Sequence, residues 1–344
     1  MMSTNTSNPS LSSPKRRQNK WPPRGSMNLI YDPAVLEHDT GIHPENAHRF
    51  RVFNNVPQVE APDGAPYLPL VHGEGYIRDI KAACEYGQPL DADTPTSPGS
   101  FAAARHAVGA TILAADTGGF ALVRPPGHHA YPNRASGFCL FNNIAVAVQK
   151  LVQEGKRVVI FDFDGHLGDG TSEIFYRTDQ VLFWSIHQYP AYPGHGFVDE
   201  IGVGKGKGFN INTPLPPGSG DDILNETMDY FLPVLQQFQP DVVALSAGFD
   251  AHHRDLLLDL RASVNFYYDL GRRLRQGFSH TFATLEGGYS VKDMPKCLYN
   301  FLAGMNGLDK PYSEPATNSG MRVWETFEIY VHAVMGNLRH YWKF

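Results

Sequence analysis

Val158-Val-Ile-Phe-Asp-Phe-Asp-Gly-His-Leu-Gly-Asp-Gly-Thr171 is the stretch on which the reading of the chain turns. An apolar run feeds into carboxylates, an imidazole and glycines, the pattern of a buried strand ending in a loop. Asp162 and Asp164 are two positions apart, so on a strand both point to one face. Gly165 and Gly168 let the backbone bend, which can bring His166 round to the side of Asp164. Asp plus His plus one more carboxylate suits zinc, with oxygen and nitrogen ligands and room left for water. The same residues also suit a solvated turn after a strand, so their meaning depends on the rest of the chain.

Outward from this stretch, apolar runs and helical periodicity alternate. Upstream, the pattern predicts a strand at 27–32, irregular chain over 50–100 with a helix at 76–85, a helix at 101–115 capped by Ser100, a strand at 120–123 and a helix at 142–154. Downstream it predicts a short helix at 172–176, strands at 181–186 and 209–212, a turn at 214–218, and a helix from Asp221 or Asp222 to before Pro240. A strand at 242–247, a helix at 263–278, a strand at 281–285 and an amphipathic helix from Met321 complete it. Alternation with continuous apolar strands implies a single α/β domain, with a mostly parallel central β-sheet and helices on both faces. Gly202-Val-Gly-Lys-Gly-Lys-Gly208 precedes a strand where a dinucleotide fingerprint needs a helix, so it reads as a flexible connection.

The 344 residues carry 29 basic and 35 acidic side chains. Residues 1–31 hold five of the basic ones and no acid, leaving 24 against 35, a net −11, on the remainder. Such a body is a poor general nucleic-acid surface. Residues 1–26, rich in Ser, Asn and Pro, read as a disordered tail ahead of a domain at 27–344. Within it, Pro14-Lys-Arg-Arg-Gln-Asn-Lys20 is either a nuclear-import or anionic-surface patch or a plain leader before Met27. No apolar stretch approaches the ~18–20 residues of a membrane span. Cys84, Cys139 and Cys297 are odd in number and widely spaced, which suits a reducing, cytoplasmic setting and offers no disulfide framework.

Strand after strand ends in reactive side chains: His128-His129, Asp162 and Asp164, His187, Asp250, Tyr289. In open α/β sheets, ligands bind beyond the carboxyl ends of the strands. In extended backbone His128 and His129 face opposite ways, so each needs its own partner. Asp162 and Asp169 are the spare carboxylates for two His–Asp dyads. Asp250 is either a third metal ligand or a helix cap. His252 and His253 are competing ligands or solvated loop residues.

These motifs together resemble the histone deacetylase family, which includes acetylpolyamine amidohydrolases and shares its fold with arginase. Gly41-Ile-His-Pro-Glu45 with Arg49, Arg124-Pro-Pro-Gly-His-His-Ala130, Gly137-Phe-Cys139, the 162–171 stretch, Ser246-Ala-Gly-Phe-Asp250 and Glu286-Gly-Gly-Tyr289 carry the resemblance. It implies zinc on Asp164, His166 and Asp250. It implies His129 as general base and acid steadied by Asp169, His128 paired with Asp162, and Tyr289 as donor to the carbonyl oxygen. Phe138 and Tyr192 would line an acyl-lysine tunnel, Asp93 would hold the substrate backbone at its rim, and Gly137 and Leu257 would also bind substrate. Asp162, Ser185 and Ile186 would hold a monovalent cation, K⁺, as a structural ion. The implied activity is removal of acetyl or short acyl groups from acylated lysine in peptides or proteins. The alternatives are deacetylation of acetylpolyamines or other small acylated amines, and an inactive zinc-containing scaffold. Neither a membrane nor a specific nucleic acid is expected as partner, and a homo-oligomer is left open. The family pattern has His-His-Gly where this chain has His166-Leu167-Gly168, which bears on local packing. It also has Pro-Leu-Gly where this chain has Leu256-Leu-Leu258.

Overall fold

The computed structural model describes residues 25–344, so the expected tail lies outside the described residues except for its last two positions. Among the described residues, seven strands form one sheet: β1 (Leu29–Ile30), β2 (Phe120–Ala121), β3 (Val158–Asp162), β4 (Val181–Gln188), β5 (Asn210–Leu215), β6 (Val242–Ala247) and β7 (Thr281–Leu285). The order is β1-β2-β7-β6-β3-β4-β5 and every pairing is parallel. The helices are α1 (Glu74–Tyr86), α2 (Ser100–Thr117), α3 (Asn143–Gln153), α4 (Asp169–Phe175), α5 (Asp221–Phe238), α6 (Val264–Gly277), α7 (Met294–Asn306) and α8 (Met321–Leu338).

Every residue of β3 is buried, as a strand covered on both faces requires. It lies between β6 and β4, with Asp162 opposite both Ser246 and Ser185. Phe161 stacks on Trp184 with ring centroids 4.1 Å apart, and Trp184 in turn packs against Phe231 of α5. Asn142 opens α3 by accepting a hydrogen bond from Ala145 N, and Ser263 opens α6 by accepting one from Asn265 N. No helix among the described residues is long and apolar enough to cross a membrane.

Several elements differ from expectation for identifiable reasons. The end strands β1 and β2 are only two residues long each, shorter than their apolar runs. Strand β5 runs through Pro214, where a turn was expected. Pro214 pairs with His187 on the sheet's edge strand, where a missing N–H leaves no ladder bond unmade. Helix α8 packs along β5 and covers that edge. Ser100 does not cap α2 with its side chain; its hydroxyl accepts from Ser97 N and meets His38 Nδ1. The 50–100 region contains 3₁₀ turns at Ala47–Phe53 and Ala65–Leu70 where irregular chain was expected. Helix α7 was not anticipated; Pro295 sits in its first turn and Gly307, at φ 67°, ends it. Helix α4 starts at Asp169 rather than Ser172, which puts that carboxylate in its first turn.

Candidate active site

Neighbouring strands β2, β7, β6 and β3 lead at their carboxyl ends into the segments holding His128-His129, Tyr289, Asp250 and Asp164 with His166. Asp250 Oδ2 lies 2.8 Å from His166 Nδ1, and Asp164 Oδ1 lies 3.2 Å from the same nitrogen. Ligand atoms of all three residues fall within 4.8 Å of one another. The carboxylates are aimed by main-chain donors: Gly165 N to Asp250 Oδ1 at 2.7 Å, and Gly287 N to Asp164 Oδ2 at 2.7 Å. A Cβ on residue 248 would stand 1.9 Å from Asp164 Oδ2, so only glycine lets the two segments approach this closely.

Burial pushes the Asp250 carboxyl up, and the neighbouring Asp164 adds to the shift. Burial alone would lower the His166 imidazole, but Asp250 and Asp164 outweigh it and push it up. Both shifts report negative charge in excess of its partners, which a bound cation would offset. Two carboxylates and an imidazole in this grouping are donors that zinc takes.

Beside this group stand the two dyads. His128 Nδ1 is 3.0 Å from Asp162 Oδ2, and His129 Nδ1 is 2.6 Å from Asp169 Oδ1. The tandem histidines do not face opposite ways. They sit in a turn, with ring centroids 4.1 Å apart, because the chain is not extended there. Burial disfavours the His128 cation, yet Asp162, Asp164 and Glu286 outweigh it and raise its pKa well above the ordinary value. His129 is lowered to about 4 by burial and by His128, against Asp169. The two neighbouring imidazoles are thereby shifted in opposite directions.

Asp93, His129, Gly137, Phe138, His166, Tyr192, Leu257 and Tyr289 line one cavity of about 220 Å³. Tyr192 stands edge-on to His129 at 5.1 Å, and its hydroxyl meets Ser136 Oγ at 2.6 Å. Phe138 stands edge-on to Tyr289 at 5.8 Å. Phe138 adopts φ 69°, a conformation rare outside glycine. A Cβ at the preceding Gly137 would come within 2.5 Å of the His129 ring. Ser185 and Ile186 are buried on β4, Ser185 beside Asp162, with the Ser185 hydroxyl 2.9 Å from His187 Nδ1.

Two histidine readings change. His187 lies inside β4, which runs one residue past it to Gln188, and does not line the cavity; it bonds Ser185 and the Gly196 carbonyl, and burial lowers it to about 4. His252 is buried, not solvated: its Nε2 meets Glu314 Oε1 at 2.9 Å, within a cluster closed by Arg254 and Asp293.

Other residues shape the site without having been assigned a role. Glu286 is buried and accepts hydrogen bonds from Gly127 N and His128 N, fixing the tandem-histidine turn. It follows β7 as Asp250 follows β6, so the strand-end rule could have found it. Asp255 accepts from Leu256 N and Leu257 N with one oxygen and from Tyr289 N and Ser290 N with the other, tying the rim to the tyrosine loop. Arg49 donates to the carbonyls of Gly288 and Glu286 and lies 4.9 Å from the centre of the Tyr289 ring. Nothing local in the sequence announces the last two roles, since Tyr289 and Ser290 lie more than thirty residues from Asp255, and Glu286 and Gly288 more than two hundred from Arg49.

Residues 43–305 match the sequence model of the histone deacetylase domain. A probable deacetylase of Archaeoglobus fulgidus is 41% identical over 254 residues, covering 70% of this chain and 71% of that protein. A histone deacetylase-like amidohydrolase of Pseudomonas aeruginosa is 36% identical, covering 83% of this chain and 81% of that protein. Among solved structures, the crystal structure of the HDA15 HD domain superposes with a TM-score of 0.82 at 29% identity, covering 93% of this chain and 96% of that one.

Proposed function

The chain belongs to the histone deacetylase family, and from that premise we propose that it removes acetyl or short acyl groups from the side-chain amine of acylated lysine. One observation carries the reading: Asp164, His166 and Asp250 form one group of ligand atoms, and its His166 lines the same cavity as the carboxylate-steadied His129 and Tyr289. Asp164, His166 and Asp250 would hold zinc. Zinc supplies Lewis acidity there: it polarises a carbonyl and makes water acidic enough to ionise near neutrality.

His129 is the general base in this scheme. With its pKa near 4 it is neutral at physiological pH and ready to take a proton from the attacking water. Asp169 occupies Nδ1, which leaves Nε2 for the transfer and stabilises the imidazolium that forms. His128, held cationic by Asp162, keeps its neighbour from being protonated in the resting site. The Tyr289 phenol, its pKa pushed up by burial, keeps its proton and donates to the carbonyl oxygen as that oxygen becomes anionic. A donor of this kind contributes roughly 10²–10³ in turnover. His129 then returns its proton to the departing nitrogen, and the amine leaves neutral.

Phe138 and Tyr192 suit the apolar stem of a lysine side chain, Asp93 the peptide N–H groups at the rim, and Leu257 a neutral amide. The monovalent cation at Asp162, Ser185 and Ile186 belongs to the same proposal. The test is acetate release from a short acetyl-lysine peptide by protein of measured zinc content. Release should be abolished by a hydroxamate and by chelation, and restored by zinc. Faster turnover of acetylpolyamines would reassign the amine. A zinc-loaded protein inert towards every acyl amine would overturn the reading.

A further inference from the structure

We propose that His195 is a positioning residue for this reaction: it closes the solvent side of Asp169 and, through that carboxylate, sets the basicity of His129. The inference rests on the role of His129 given above. Asp169 has two oxygens with separate duties. Oδ1 meets His129 Nδ1 at 2.6 Å. Oδ2 accepts from the Tyr131 hydroxyl at 2.8 Å and lies 3.7 Å from His195 Nε2. The Tyr131 hydroxyl is itself 3.5 Å from His195 Nε2, so hydroxyl, carboxylate and imidazole form one triangle.

The other ring nitrogen is also placed. His195 Nδ1 lies 3.5 Å from Glu200 Oε2. The second oxygen of Glu200 accepts from Gly196 N at 2.7 Å and Phe197 N at 3.1 Å, which anchors the loop carrying the imidazole. His195 therefore bridges two carboxylates, one buried in the site and one at its edge. Its side chain is 45% exposed, so it can exchange protons with solvent while Asp169, at 2%, cannot.

The remaining ionisable groups around it do not compete. His187 is buried and neutral, bonded to the Gly196 carbonyl. Arg134 lies over the Tyr131 ring, 4.0 Å from its centre. Tyr192 adds a protonated phenol raised by burial. The neighbouring Asp169 raises the His195 pKa, its partial burial opposes that, and Glu200 adds to the rise, so the cation persists above the pH at which a free histidine loses it.

The consequence has a definite sign. A cation on the outer oxygen withdraws part of the Asp169 charge from His129, which lowers the affinity of His129 for a proton. Replacing His195 by glutamine removes that cation, so the His129 pKa rises and the acid limb of the kcat profile moves to higher pH. Turnover at the foot of that limb should fall about 3-fold relative to the plateau, for a displacement of roughly half a pH unit. KM should stay unchanged, because His195 is not among the residues lining the cavity.

Two measurements on the full-length protein separate this inference from the deacetylase reading. The first is histidine-ring NMR titration, which needs no substrate. His195 should titrate above ~6.5 in the wild type and fall towards that value in Asp169→Asn. A His195 resonance that titrates as a free surface imidazole in both proteins overturns the proposal. The second is the pH profile of kcat and KM for wild type, His195→Gln and His195→Lys. Glutamine should displace the acid limb and lysine, which keeps a cation, should restore it. Superimposable profiles, or a change in KM alone, overturn the proposal. A protein inactive on all acyl amines whose His195 titration still responds to Asp169→Asn retains the pairing and loses the deacetylase reading.

Discussion

Two buried clusters of charge lie within reach of the Tyr289 loop and differ in how their charges are balanced. In one, Glu45 accepts from Arg124 through both oxygens at 2.8 Å and from Arg49 at 3.2 Å, and all three side chains are fully buried. In the other, Asp164 and Asp250 share the His166 imidazole, and His128, bonded to Asp162, lies 3.9 Å from Asp164. Guanidinium groups cannot lose their protons, so the first cluster is permanently compensated by its own side chains. Imidazoles can, and the second cluster is left with carboxylate pushed up by its own burial. The first closes its electrostatics internally and serves the fold. The second borders the cavity through His166, and the proposed zinc would supply the charge that balances it. Arg49 joins the two, since it pairs with Glu45 and also holds the carbonyls of Glu286 and Gly288.

The sharpest way to break this contrast is Asp250→Asn. Turnover should fall by at least ~10³-fold, because a ligand and several kcal/mol of transition-state stabilisation go together. The substitution should also abolish the rise in melting temperature that added zinc gives the metal-stripped wild type. Zinc content and thermal melts after chelation would check both halves. A variant that zinc stabilises as fully as it does the wild type would remove Asp250 from the ligand set.

Glu45→Gln should do the reverse. It leaves two buried guanidinium groups without their partner and should cost about 3–5 kcal/mol in urea unfolding, while zinc content per folded molecule stays at the wild-type level. Stability that stayed within about 1 kcal/mol of wild type would mean that water or other groups replace the carboxylate.

The same carboxylate predicts a pH dependence. Burial would raise the Glu45 pKa, but Arg124, with His38 and Arg49, holds it at about 2 against an ordinary 4.5. A depressed folded pKa stabilises above the unfolded value and loses that contribution as pH falls towards the folded one. The wild type should therefore lose about 3 kcal/mol from this group between pH 4.5 and 2. Its advantage over Glu45→Gln in urea melts should be constant above that window and shrink within it. An advantage that does not change on acidification would detach the stability from this charge.

The smallest expected effect is at the bridge. Arg49→Lys keeps the charge on Glu45 but gives up the planar fork that reaches both carbonyls. Leaving a buried carbonyl without its donor should cost about 1–3 kcal/mol. Turnover should fall roughly 10-fold through the displaced Tyr289 loop, by analogy with the loss of supporting contacts around other sites. Unchanged kcat alongside lowered stability would confine Arg49 to the fold and separate the clusters.

Most of the strand-end chemistry was legible from residues alone. An apolar run followed by Asp, Gly and His is a local signal, and β3, β6 and β7 end within a residue or two of where that signal stops. The parallel sheet followed because strands covered on both faces leave no polar alternation. Legibility failed where a backbone group's context is set from far away. Pro214 reads as a turn until its edge position is known, and α7 has no strong local start signal beyond Pro295. His252 reads as solvated until Glu314, 62 residues on, is folded over it.

The sequence by itself determined the kinds of groups that meet at the carboxyl edge of the sheet, because strand period and turn chemistry act over a few residues. Only the tertiary structure decided how charge is shared among them: that Glu286 fixes the histidine turn, that His187 turns away, that Asp255 ties rim to tyrosine, and that Arg49 links a compensated cluster to an uncompensated one. Those outcomes depend on burial and on contacts closed across long stretches of chain. Both are properties of the packed sheet, and no window of sequence contains them.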